Sequence, residues 1–219
     1  MVLDVSEAMR YLGMGDDPPE DQRERMSAVA RRLERDIQPR YIYKVFSLER
    51  RDGAILLPEP GLDITSRSAR VMLAQCDSVA VLACTLGVRF DAMLRAQQAR
   101  DMAQAVMLDA CGSALVESGC NKAEEEIQSR FPQRHLTDRF SPGYGDLPLS
   151  LQAPLCAALD AGRLLGVTVG ESCLINPCKT VTAFIGLSDK PQQARIRGCD
   201  YCAMRETCQL RKGGKRCGT

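Results

Sequence analysis

The sequence predicts an α+β fold, with an antiparallel or mixed sheet, helices packed on it and a small Cys-rich C-terminal tail. Three stretches carry the sheet. YIYKVFSLER, residues 41–50, is rich in the aromatic and β-branched side chains that suit a pleated surface. SVAVLACTLG, residues 78–87, is an apolar run closed by Gly87, and TVTAFIGL, residues 180–187, sets Val181, Ala183, Ile185 and Leu187 on one face of a strand. Between the last two, residues 89–131 contain no proline and repeat apolar residues at three- and four-residue intervals, the helical period.

Taken in order, DDPP at 16–19 marks a helix start, and Met26, Val29, Ala30, Leu33 and Ile37 recur at helical spacing on a charged segment that ends before Pro39. After the first strand, GAILLP is a candidate partner for it across the charged turn from Glu49 to Asp52. A short helix is predicted near Ser66 to Gln75, then the buried strand, then two helices within 89–131. In the second of these, Asp109, Ser113 and Glu117 stand four residues apart and so share one helix side. Ser150 can cap a helix running to about Gly162, the final strand follows, and SDKPQQARIRG leads into the tail. The body is predicted to span residues 1–190 and the tail 191–219.

The composition is that of an ordinary soluble domain, with 45% hydrophobic and 26% charged residues and no Trp, so the core is aliphatic. An N-terminus carrying Asp4 and Glu7, and no apolar run of membrane-spanning length, point to a cytoplasmic protein without a membrane segment. Eleven cysteines are many for such a protein. Cys76, Cys84, Cys111, Cys120 and Cys156 lie among apolar neighbours and read as small buried hydrophobes, whereas Cys173 and Cys178 flank a turn.

One stretch breaks the periodicity around it. In RFSPGYGDLPLS, residues 139–150, Pro142 fixes its own backbone and restricts Ser141, while Gly143 and Gly145 permit positive φ on either side of Tyr144. The chain turns sharply there, with Arg139, a phenol and bare backbone close together. That set suits a small polar ligand bearing a carboxylate and a flat ring: Arg139 can clamp the carboxylate and Tyr144 can line the ring or its sugar. An ordinary surface turn fits the same residues.

RFSPGYG followed by a helix, then LLGVTVGES and INPCKTVTAFIGLS, resembles the S-adenosylmethionine-binding activation domain of cobalamin-dependent methionine synthase in its stand-alone form. ACTLG and LDACGSALVE fit the same family, so the resemblance spans most of residues 1–190. It implies that Arg139 and Tyr144 contact S-adenosylmethionine, that the backbone of Pro142, Gly143, Tyr144 and Gly145 cradles it, and that Glu117 is a helical acid near its cationic groups. Glu171 matches a further acidic position of the family. The family commonly has Pro-Ala where this chain has Gly145-Asp146. The implied function is that of an accessory protein. It binds the methyl donor and docks on a corrinoid-bearing methionine synthase or related methyltransferase, and the partner's inactive cob(II)alamin is reduced by an electron donor and methylated back into the cycle. Such chemistry is positioning, and no general base is required.

The tail is a separate unit. Residues 195–219 hold seven basic and two acidic residues, or +5, which leaves −4 for the remainder of a chain whose net charge is +1. Cys199, Cys202, Cys208 and Cys217 have the spacing Cys-x2-Cys-x5-Cys-x8-Cys, enough to close a four-thiolate shell around zinc or to hold an iron-sulfur cluster. A cluster there could relay the activating electron. A single His, His135, and no Asp-x-His-x-x-Gly stretch indicate that cobalamin is carried by the partner. No Gly-x-Gly-x-x-Gly loop marks a Rossmann methyltransferase. Two other functions fit the same residues: a nucleic-acid-binding module with a zinc knuckle, disfavoured by the acidic body and by a tail with only Tyr201 to stack on bases, and a module that binds S-adenosylmethionine and transfers nothing.

Overall fold

The computed structural model describes residues 2–14, 18–191, 206–207 and 209–212. Its centre is a four-stranded sheet in which β1 (Arg40–Ser47), β5 (Ser78–Thr85), β9 (Thr180–Ser188) and β6 (His135–Leu136) lie in the order β1-β5-β9-β6. Every strand pairing among the described residues is antiparallel. β5 and β9 are buried on both faces along nearly their whole length, which is why both appear in the sequence as apolar runs.

The two faces are covered differently. On one, Ala80, Leu82 and Cys84 of β5 join Ile185 and Leu187 of β9 beneath four helices: α1 (Val5–Tyr11), α2 (Glu20–Asp36), α4 (Gly87–Gln98) and α5 (Met102–Arg130). On the other, Val79, Val81, Ala83 and Phe184 pack against α3 (Arg67–Met72), α6 (Gln152–Leu159), α7 (Ala161–Leu165) and a small sheet. That sheet is formed by β2 (Glu49–Arg51), β3 (Ala54–Leu57) and β4 (Leu62–Ile64), and a last hairpin, β7 (Thr168–Val169) and β8 (Ile175–Asn176), leads into β9. In the tail, Gln209–Lys212 forms one helical turn, α8. No described helix is long and apolar enough to cross a membrane.

Two sequence expectations are corrected. GAILLP does pair across the charged turn, where Asp52 and Gly53 both take positive φ, but only with Glu49–Arg51. The chain leaves the main sheet at Leu48, and β1 takes β5 as its neighbour instead. Ser150 is not a cap, because it lies inside the 3-10 turn Leu149–Leu151 that runs into α6. The helix then breaks at Asp160, whose φ of 55° ends α6 before α7 begins. α1 was not anticipated: Asp4 caps it, its carboxylate accepting from the Ser6 and Glu7 N–H groups at 2.9 and 3.1 Å.

α5, 29 residues long, approaches the sheet and its neighbours closely through two glycines. A Cβ on Gly112 would lie 2.3 Å from the Phe90 ring, and one on Gly119 would lie 2.7 Å from both Cys84 Sγ and Pro39 Cβ. In an open helix, Gly→Ala gains about 1 kcal/mol of propensity. Overpacking a core costs about 1–3 kcal/mol, and a 2.3 Å contact cannot be absorbed without moving a buried ring. Gly112→Ala is therefore expected to lower the melting temperature in a thermal scan. Gly162→Ala in α7, whose Cβ would meet nothing nearer than 3.6 Å, should leave it unchanged or raise it.

Candidate functional site: the polar face of the long helix

Thirteen of the 29 residues of α5 are buried, and a side they leave open carries Asp109, Ser113, Glu117, Asn121 and Glu124. The first four are spaced at four residues, so they rise along the helix by about 6 Å per step. Two cations reach this side from elsewhere in the chain. Lys179 Nζ donates to Asp109 Oδ2 at 3.0 Å and to Ser113 Oγ at 2.9 Å. Farther along, the Arg139 guanidinium donates through Nη2 to Glu117 Oε2 at 2.5 Å and to Asn121 Oδ1 at 3.2 Å, and through Nη1 to Glu124. The Arg139 side chain is only 4% exposed, against 34% for Glu117 and 28% for Glu124. The cation is thus sunk into the protein while its carboxylate partners keep a surface toward solvent.

Both cations are held by the backbone that precedes or follows them. Phe140 bridges Phe184 of β9, Phe140 N–H donating to Phe184 O at 3.1 Å and Phe184 N–H to Phe140 O at 2.8 Å. The two rings lie 5.5 Å apart on the far face of the sheet. Strand alternation then directs the neighbouring Arg139 to the α5 face. Lys179 is fixed from both sides. Its neighbour Cys178 donates through backbone N–H to Asp91 Oδ2 at 3.1 Å and through its thiol to Asp91 Oδ1 at 2.9 Å, while Thr180 Oγ1 donates to Pro177 O at 2.7 Å. Burial and the hydrogen bond to Asp91 push the Cys178 thiol up to about 11, so it is protonated at neutral pH.

The Pro-Gly-Tyr-Gly turn adjoins Arg139. Gly143 and Gly145 take φ of 95° and 57°, the positive values foreseen from the sequence. The turn closes on itself: Tyr144 N–H donates to Ser141 O at 3.1 Å, Gly143 N–H to Leu147 O at 2.8 Å and Leu147 N–H to Tyr144 O at 3.0 Å. Pro142 is buried and Tyr144 is 66% exposed, its ring standing clear of the surface. Asp146 clasps this turn to α3. Its carboxylate accepts from Ser66 Oγ and Arg67 N–H, both at 2.6 Å, and from Ser68 N–H at 3.0 Å, and a side chain at Gly145 would lie 2.9 Å from Ser68 Oγ. The pair Gly145-Asp146 is thus the point at which the turn is fastened to α3.

Of the sequence-derived candidates, Arg139 and Glu117 come together in one ion pair, with Pro142, Gly143, Tyr144 and Gly145 on the adjoining turn. Glu171 and His135 are exposed. Cys199, Cys202, Cys208 and Cys217 lie outside the described residues, among which no cluster of His, Cys, Asp or Glu could hold a metal ion. Asn121 and Glu124 were missed although they continue the helix side on which Glu117 lies, and that period was available in the sequence. Lys179 and Asp146 had no local signal, since their partners lie 66 to 80 residues away.

Between α5 and the end of α1 the polar face opens into a cleft of about 250 Å³, lined by Tyr11, Leu12, Val106, Asp109, Ala110 and Ser113. The Tyr11 hydroxyl donates to Glu7 Oε1 at 2.7 Å. Its phenol is held above its ordinary range by burial, by that hydrogen bond and by the charges of Glu7 and Glu117.

No family model matches the sequence, and no curated protein matches it. Among solved structures, the MetH reactivation domain bound to AdoHcy superposes on 98% of this chain and 82% of its own, with a TM-score of 0.69 at 16% identity. The chain has the reactivation-domain fold. The expectation of an activation-domain architecture is thereby met at the level of fold.

The clasp has a signed pH dependence. The hydroxyl of Ser66, then Ser68 and the nearby N–H groups, hold the Asp146 carboxyl well below the usual carboxylate range. A depressed folded-state value adds stability that is complete above the unfolded value of about 4 and is lost as the pH falls below it. Asp146→Asn should therefore be less stable than the parent by a constant margin in urea at pH 7 and pH 5. That margin should narrow at pH 3.

Proposed function

We propose that this chain binds S-adenosylmethionine along the polar face of α5 beside the Pro-Gly-Tyr-Gly turn. From there it presents the methyl group to a corrinoid carried by a separate methyltransferase, such as methionine synthase. The observation that carries this reading is the Arg139–Glu117 pair at the seam between α5 and residues 139–145, in a fold shared with a domain solved with AdoHcy. AdoHcy is what S-adenosylmethionine becomes when its methyl leaves.

The residues suit such a ligand. Glu117 and Glu124 outnumber the one arginine they share and keep part of their surface open, giving a negative field for an ammonium or sulfonium cation. Arg139, engaged by α5 through three hydrogen bonds, acts in this reading by holding those carboxylates and the turn in place. Tyr144, with two-thirds of its surface free, lies against the ring or sugar of the ligand. Gly143 and Gly145 let the backbone approach it without side chains in the way. Once reduced by an outside electron donor, the partner's corrinoid supplies the nucleophile. The carbon–sulfur bond then breaks with its electron pair left on sulfur, so this chain need only orient the methyl and exclude water.

Isothermal titration of S-adenosylmethionine into the parent is expected to give binding that weakens at least about tenfold in Tyr144→Ala and in Glu117→Gln, with melting unchanged in the former. Absence of binding by the folded parent, alone and with its corrinoid partner, would sink the reading. For the tail we propose that Cys199, Cys202, Cys208 and Cys217 bind zinc or an iron-sulfur cluster. Metal content and visible absorption of anaerobically purified protein are expected to show one or the other, and to lose it in Cys199→Ser/Cys202→Ser. Equal metal content in parent and variant would rule the site out.

A further inference from the structure

With Arg139 enclosed by Glu117, Glu124 and Asn121, the cation foreseen for a ligand carboxylate is already engaged. The second cation on the same helix side is less enclosed, its side chain 16% exposed against 4% for Arg139. Lys179 touches Asp109, whose side chain is 50% exposed, and Ser113, and both of those residues line the open cleft beside α1. We propose that Lys179, Ser113 and Asp109 form the subsite for the α-amino-acid end of the ligand, Lys179 taking the α-carboxylate and Asp109 the α-ammonium. The proposal rests on the S-adenosylmethionine reading above and assigns the ligand's direction along α5.

The geometry suits a zwitterion. An α-amino acid carries its two opposite charges on groups attached to one carbon, and Asp109 and Lys179 offer the inverse pair in contact at 3.0 Å. Docked side by side, the four charges alternate, so each ion of the protein keeps an opposite neighbour when the ligand enters. Ser113 adds a hydroxyl that can donate to the carboxylate or accept from the ammonium. The lysine is presented rigidly, because the chain on its two sides is tied to Asp91 and Pro177 and its own carbonyl accepts from Leu86 N–H at 3.0 Å.

The spacing agrees as well. Ser113 and Glu117 are one helical step apart, about 6 Å. Two methylene groups separate the α-carbon of S-adenosylmethionine from its sulfonium. A ligand anchored at Lys179 thus places its sulfur toward Glu117, with its nucleoside directed onward along α5.

A ligand-protein cycle isolates this contact. S-adenosylmethionine and decarboxylated S-adenosylmethionine, which lacks only the carboxylate, are titrated into the parent chain, Lys179→Met and Lys179→Arg, with folding checked by circular dichroism and melting. The parent is expected to prefer S-adenosylmethionine by on the order of 10- to 100-fold. That preference should collapse to within about twofold in Lys179→Met and be largely kept in Lys179→Arg. A preference that survives in Lys179→Met, or an equal loss of affinity for both ligands, overturns the subsite and assigns Lys179 a purely structural role, even if the parent binds well. A folded parent that binds neither ligand overturns the S-adenosylmethionine reading itself, and the subsite with it.

Discussion

Everything at the candidate site depends on how closely α5 lies against the sheet. Lys179 and Arg139 belong to the head of β9 and to the strand-like segment beside it, and each reaches a carboxylate on the helix only because the layers are near one another. Gly112 and Gly119, seven residues apart and hence on one helix side, make that approach possible by leaving room for Phe90, Cys84 and Pro39. Interior glycines cost a helix about 1 kcal/mol each relative to alanine. Here the cost is offset by burial of the helix along its length, and the helix stays unbroken for 29 residues.

What was legible in the sequence follows periodicity. β5 and β9 stood out because both their faces are buried, and α2, α4 and α5 because apolar positions recur at three and four. The shared side of Asp109, Ser113 and Glu117 was legible for the same reason, and so were the positive-φ glycines flanking Tyr144. What stayed hidden depends on distant neighbours. Nothing local says that the chain changes sheets at Leu48 or that Asp160 divides one helix into two. The partners of Arg139 were hidden likewise, since an arginine before a tight turn looks available until the helix 15 to 22 residues upstream is folded beside it. The two glycines of α5 were the overlooked clue: a glycine inside a strongly helical segment signals close packing.

The turn at residues 141–147 is held from two directions. Its own hydrogen bonds set its shape, and the Asp146 carboxylate then ties it to the first turn of α3, where donors without helical partners are concentrated. Arg139 anchors the same segment from the opposite side of the sheet's edge, so Tyr144 is carried on a support held at both ends. An exposed aromatic ring on such a support has little freedom to lose when something settles against it.

Along α5 three carboxylates face two cations, which leaves one negative charge in excess. S-adenosylmethionine carries one net positive charge, and AdoHcy carries none. On the proposed reading the site is electrically matched to its substrate, and departure of the methyl removes the sulfonium charge facing Glu117 while the amino-acid end of the ligand stays as it was. A surface so composed would hold the substrate more tightly than the product, without any moving part.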